Sequence, residues 1–167
     1  MPLAPFHLQS WIAEHRQLLQ PPVGNACIWN SGFLVMVVGG PNARTDYHIN
    51  PTEELFYQVE GDIVLKVIED GKPRDIPLKQ GDIFLLPAKV PHSPQRPAGT
   101  VGLVVEQPKS SPETHHLRWY CPKCRGVVHD VEFTPVDIGK QIKAALEEFK
   151  GSEAARTCKE CKTVHPA

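Results

Sequence analysis

Two histidines and one carboxylate stand where this chain can do chemistry. His48 precedes the turn pair Asn50-Pro51 and Glu54 follows it, after which the alternating run Leu55, Tyr57, Val59 reads as a strand ending at Gly61. Asn50-Pro51 is expected to fold the stretch 44–61 into a hairpin-like unit whose two arms each present one ligand. A further imidazole, His92, closes a second segment, 81–92, that also runs from a strand into a turn. Two imidazoles and one carboxylate suit a divalent iron that keeps positions open for substrate and dioxygen.

A second chemistry lies near the C-terminal end. Of five cysteines, four fall in two Cys-x-x-Cys pairs, Cys121 with Cys124 and Cys158 with Cys161. Four thiolates are the set for a closed tetrahedral zinc or a single iron, and such a fully ligated metal leaves no site for substrate. Its expected role is to hold together a tail with little core of its own. His129 and His165 are rival ligands, although four thiolates already complete a site. Cys27 stands alone in an apolar segment and reads as a small buried residue.

The elements that must position these groups are mostly short strands. Residues 7–19 place Leu8, Trp11, Ile12, His15, Leu18 and Leu19 at helical spacing, and Pro21-Pro22 closes that segment. From Ala26 onward, short apolar runs are punctuated by turn residues: 26–29, 33–38, 55–59, 63–68, 75–78, 82–86 and 101–106. That spacing indicates an antiparallel sandwich or barrel. Asp70-Gly71 marks a hairpin turn between two of the runs. The strands are expected to stop at Glu106, where 107–114 has the composition of a linker. Beyond it, Thr134-Pro135-Val136-Asp137 fits a helix start, and Ile138, Ile142, Ala145, Leu146 and Phe149 continue at helical spacing until Gly151.

Composition narrows the partners. With 18 Lys and Arg against 19 Asp and Glu, the net charge of −1 leaves no basic footprint for nucleic acid or an anionic membrane. A small neutral or anionic ligand is expected instead. Met1-Pro2-Leu3-Ala4-Pro5 does not read as an export signal, and the longest apolar run in the uncharged stretch 17–43, Phe33 to Val38, is too short to span a bilayer. Paired cysteines in such a chain point to metal in a reducing cytoplasm rather than to disulfides.

Residues 44–96 resemble the two motifs of the cupin superfamily, whose fold is a double-stranded β-barrel. The first motif, His-x-His, three or four residues, Glu, six residues, Gly, stands here as His48-x-Asn50, Glu54 and Gly61. The second, Gly, five residues, Pro-x-Gly, two residues, His, three residues, Asn, stands as Gly81, Pro87-x-Lys89, His92 and Arg96. Asn50 replaces one histidine of the usual four-ligand set, and Arg96 places a permanent cation close to the metal.

With the two cysteine pairs, the pattern resembles the bacterial-type 3-hydroxyanthranilate 3,4-dioxygenase family over nearly the whole chain. The resemblance implies a cupin barrel, 1–110, with a short N-terminal helix, followed by a linker and rubredoxin-like tail, 111–167, containing one helix. It implies Fe(II) on His48, Glu54 and His92, and a second iron or zinc on Cys121, Cys124, Cys158 and Cys161. It also implies ring opening of 3-hydroxyanthranilate by dioxygen on the tryptophan-to-quinolinate route toward NAD, by a homodimer. Arg44 and Arg96 would hold the substrate carboxylate, while Glu54 and Glu106 would lie at its hydroxyl and amino groups, with Glu106 accepting the proton. Two rival readings remain: another cupin metal enzyme, or a module that does not catalyse this reaction, either a metal-anchored binder of a small acid or a redox module centred on the cysteines.

Overall fold

The structure, a computed structural model, describes residues 4–21, 24–107, 114–134 and 138–166. Twelve strands are present among them: β1 Asn25–Asn30, β2 Leu34–Gly39, β3 Asn42–Ala43, β4 Tyr47–Ile49, β5 Glu54–Glu60, β6 Ile63–Glu69, β7 Lys72–Leu78, β8 Ile83–Leu86, β9 His92–Arg96, β10 Val101–Glu106, β11 His115–Tyr120 and β12 Val127–Phe133. The helices are α1 Leu8–Glu14, continued by a 3-10 turn Arg16–Leu19, then α2 Ile138–Gly151 and α3 Glu153–Arg156.

The strands form two antiparallel sheets. One has the order β1-β2-β10-β5-β8; the other runs β12-β11-β4-β9-β6-β7, with β3 also paired to β9. Alternation along each strand turns one apolar row inward. Phe56, Leu86 and Val104 from the first sheet therefore meet Ile63, Leu65, Val67 and Leu78 from the second in one buried cluster. Each such side chain contributes about 1.5–3 kcal/mol relative to exposure. The expected cupin architecture is present as two facing sheets rather than one continuously closed sheet.

Several local expectations are met. Asp70 and Gly71, both at positive φ (50° and 73°), join β6 to β7 with Glu69 opposite Lys72. The N-terminal helical segment packs Ile12 and Leu19 on Val37 and Val101, sealing the outer face of the first sheet. A Cβ at Gly39 would lie 2.1 Å from the Leu19 carbonyl oxygen, so only glycine admits that approach.

Four expectations are corrected. Cys27, expected to be buried, is exposed on β1. Asn50-Pro51 does not make a hairpin: β4 pairs with β9 and β11 while β5 pairs with β8 and β10, so the turn is a corner between sheets. Nor do the strands stop at Glu106. β11 lies beside β4, with Leu117 opposite His48, and β12 extends the same sheet. The buried alternation His115, Leu117, Trp119 is the signal that identifies β11. The tail also has a second, short helix, α3, capped by the Ser152 hydroxyl accepting from the Ala155 N–H. Pro22, the linker residues 108–113 and the helix-start residues 135–137 lie outside the described residues.

Candidate metal centre

The corner that carries the chain from one sheet to the other is what assembles the site. On β4 the inward residue is His48; Glu54 opens β5 facing the same interior; His92 opens β9 directly opposite His48. All three are buried, and one ligand atom from each lies within 4.8 Å of the others. Glu54 stands between the imidazoles, with Oε1 3.5 Å from His48 Nδ1 and Oε2 3.3 Å from His92 Nε2.

The surroundings aim each donor. Asn50, the position where the resembled motif has a histidine, donates from Nδ2 to Glu54 Oε1 at 2.7 Å, while its Oδ1 accepts from the Thr52 N–H and hydroxyl, both at 3.1 Å. It is a clamp on the carboxylate. The nitrogen of His92 that faces away from Glu54, Nδ1, lies 3.0 Å from the Val90 carbonyl, which only accepts, so Nδ1 carries the hydrogen and Nε2 turns toward Glu54. His48 Nε2 lies 2.8 Å from Nδ1 of His115, a side chain from β11.

Electrostatics agree with this placement. Burial pushes the Glu54 carboxyl up, but the neighbouring charge and hydrogen bond of His92, with His48 and Asn50, outweigh it and hold the group at about 2. Burial presses His48 well below the usual imidazole value, against the pull of Glu54, and His92, His115 and Arg44 push the same way. For His92 the penalty of burial is overcome by Glu54, and its value rises. An ionised acid flanked by two imidazoles, one of them neutral and the other bonded outward, is a fitting donor set for a divalent cation with open positions.

Four residues further along three strands, a second polar group faces the same interior. β9 carries His92 and then Arg96; β5 carries Glu54 and then Gln58; β10 carries Gly102 and then Glu106. Glu106 is directly opposite Glu54, and Gly102 is directly opposite Gln58. The two groups are thus separated by about 13 Å along the strands, with Phe56 and Val104 facing inward between them. Arg96 is 3 % exposed and its Nη1 donates to Gln58 Oε1 at 3.1 Å. The Gln58 amide cannot be turned round, because its Nε2 donates to the carbonyls of Glu60 and Gly61 at 2.9 Å and of Val101 at 3.2 Å. Among the described residues no carboxylate lies within 4 Å of the Arg96 guanidinium, its Nε has no hydrogen-bond partner, and burial lowers its pKa to about 10.

Arg44 is placed differently. Its Nε donates to Asp46 Oδ1 at 2.9 Å and its Nη2 pairs with Asp46 Oδ2, so the fork is engaged by a fully buried acid. It lines a cleft of about 480 Å³ on the outer side of the second sheet, together with Tyr47, Lys66, Tyr120 and Arg125.

In the tail, Cys121 follows β11, Cys124 lies in the next turn, and Cys158 and Cys161 follow α3. The Sγ atoms of Cys121 and Cys161 are 3.5 Å apart, as are those of Cys124 and Cys158, and all four lie within 4.8 Å of one another. Thiolates at about 2.3 Å from a tetrahedral metal would be about 3.8 Å apart, so little movement is needed. The Thr163 hydroxyl and backbone N–H draw the Cys161 thiol down to about 6. His129 and His165 instead pack on Phe149, which stacks on Trp119 at 4.2 Å.

Sequence reasoning missed Gln58, Gly102 and His115, and read Asn50 as an absent ligand rather than as a clamp on Glu54. A polar residue in a buried slot of an alternating strand is the available signal for Gln58 and His115.

Comparison with known proteins agrees with the geometry. The sequence model described as 3-hydroxyanthranilic acid dioxygenase matches residues 1–150. A 3-hydroxyanthranilate 3,4-dioxygenase of Meyerozyma guilliermondii is 56% identical over 155 residues, 93% of this chain and 92% of that protein. Its namesake in Neurospora crassa is 52% identical, covering 95% of this chain and 88% of the relative. One from Xanthomonas campestris pv. campestris, strain B100, is 50% identical over 167 residues, 100% of this chain and 95% of the relative. Matched by that sequence model over most of its length and by these relatives from end to end, the chain belongs to the 3-hydroxyanthranilic acid dioxygenase family.

Proposed function

We propose that this chain converts 3-hydroxyanthranilate and dioxygen to 2-amino-3-carboxymuconate semialdehyde, a step of tryptophan degradation toward quinolinate, with Fe(II) held by His48, Glu54 and His92. When bound there, the metal supplies a Lewis acid with open positions for the substrate's adjacent donor atoms and for dioxygen. The observation that carries the reading is the two-ended interior: the three ligands at one end, and at the other a buried arginine that no acid among the described residues faces within 4 Å.

Arg96 takes the substrate carboxylate, which supplies the negative charge that its described surroundings lack. Phe56 and Val104, facing inward between the two ends, pack against the ring. Glu106, across from Glu54, accepts the proton released by the ring hydroxyl, and Glu54 borders the hydroxyl and amino groups while holding the metal. Arg44, whose fork is engaged by Asp46, is the secondary partner of the same carboxylate. The four cysteines hold a second metal, iron or zinc, whose role is structural: Cys121 and Cys158 belong with Trp119, Ala145 and Phe149 to the core of the tail, and Cys161 packs against it.

The chain works as a catalytic unit, 1–110, and a metal-clasped tail, 111–167, joined by β11. Its placement in a reducing cytoplasm rests on the paired cysteines, and its assembly as a homodimer on the family resemblance; among the described residues no helix is long and apolar enough to cross a membrane.

The test is an anaerobic preparation loaded with ferrous iron and then given 3-hydroxyanthranilate and oxygen. Equimolar oxygen uptake with loss of ring absorbance is expected. Binding of the acid without oxygen consumption would leave a metal-anchored binding module and refute the enzyme.

A further inference from the structure

The strand that opens the tail reaches the ligand set. His115, Leu117 and Trp119 share the buried face of β11, and Leu117 is directly opposite His48 on β4, so His115 stands diagonally across from His48 on the same face. The two rings lie 5.1 Å apart at 24°, and the far side of His115 rests near Phe133 of β12 at 5.8 Å. Their nitrogens, His48 Nε2 and His115 Nδ1, are 2.8 Å apart.

One hydrogen sits between those nitrogens, and its owner decides whether His48 can bind a cation. Should His115 donate it, the remaining hydrogen of a neutral His48 moves to Nδ1, pointing at Glu54 where the metal would be. Should His48 Nε2 donate it, Nδ1 keeps its lone pair toward Glu54. Only the second arrangement is compatible with coordination. We propose that His115 is a positioning residue for the catalytic metal: as the hydrogen-bond acceptor for His48 Nε2, it fixes the ring and tautomer of that ligand from a strand belonging to the tail. This rests on the reading of His48, Glu54 and His92 as the metal site.

The same strand ends at the cysteine group. Beyond Trp119 the next residue on that face is Cys121, so the thiolate cluster and the histidine that steers His48 are two ends of one rigid element.

Cobalt(II) titration of the metal-free full chain tests this, because intense thiolate charge-transfer bands report the cysteine group and weaker ligand-field bands report the histidine–carboxylate group. In His115→Leu, which keeps the bulk and removes the acceptor, binding at the histidine–carboxylate group weakens about 10–100-fold while the thiolate bands and the unfolding midpoint of the metal-free protein stay unchanged. In His115→Asn, whose Oδ1 can stand in for Nδ1, affinity returns to within about 3-fold of the parent. Parental affinity in His115→Leu, or no recovery in His115→Asn, overturns the role of His115. Absence of the histidine–carboxylate bands from the unmutated chain would instead overturn the metal site itself, and this proposal with it.

Discussion

Adding one methyl group at Gly102 should damage substrate recognition without touching a ligand. A Cβ there would lie 2.8 Å from Arg96 Nη1 and 3.0 Å from both Arg96 Nη2 and Gln58 Oε1, where ordinary contact begins near 3.4 Å. The guanidinium must retreat by more than half an ångström, and the hydrogen bond to Gln58 that holds it is stretched or lost. The backbone offers no objection, since Gly102 sits inside β10 and is not among the glycines at positive φ. Misplacing a binding group on the ångström scale costs up to about 100-fold, so kcat/KM for the carboxylate substrate should fall about 10–100-fold, or about 1.4–2.7 kcal/mol. Most of the loss should appear in KM. The assay is steady-state oxygen uptake on iron-loaded Gly102→Ala, run in parallel with 2-aminophenol, which lacks the carboxylate. An equal loss on both substrates, or an unchanged KM, would refute the assignment of Arg96 as the carboxylate anchor.

Other outcomes follow from the same geometry. His92→Ala should lose iron at the catalytic site, read as metal content per chain, and with it turnover; a variant that keeps both would remove His92 from the ligand set. Arg96→Lys keeps the charge but not the planar fork, so iron content should hold while KM rises about tenfold or more; an unchanged KM would count against paired hydrogen bonds to the carboxylate. Because Cys161 is depressed to about 6, in the metal-free protein its thiolate persists above that pH and is lost as pH falls through it. Its alkylation rate, followed by mass spectrometry, should therefore have a midpoint near 6; a midpoint near the ordinary thiol value would contradict the Thr163 contact.

What the sequence made legible is whatever had a local signature. The cysteine pairs, the Asp70-Gly71 turn and the strand runs are written within a few residues, and the spacing of His48, Glu54 and His92 matched a known motif pair. The fate of Asn50-Pro51 was not legible, because the same turn residues serve a hairpin and a corner. The choice is made by β9 and β11 capturing β4, a contact between distant parts of the chain. β11 itself was hidden for a related reason. Its alternation, His115, Leu117, Trp119, begins straight after a stretch of linker composition and opens on two adjacent histidines, which blur the boundary between faces. Asn50 looked like a missing ligand, and only the 2.7 Å bond to Glu54 turns that departure into a function.

The two arginines given the same task by the sequence end in opposite electrostatic states, and this decides their order of importance. Arg44 is already paired through two nitrogens with Asp46, which is 0% exposed. Pulling its fork onto a substrate would strand that acid in the interior, a loss of the kind that costs about 3–5 kcal/mol. Arg96 has the reverse problem: it is buried against Gln58, a neutral partner, and its pKa is driven down to about 10 by desolvation. An incoming carboxylate relieves Arg96 but competes with Asp46 at Arg44. Carboxylate recognition therefore falls first to Arg96, and removal of Arg44's charge should cost less substrate affinity than removal of Arg96's, provided Asp46 is neutralised in the same variant by Asp46→Asn.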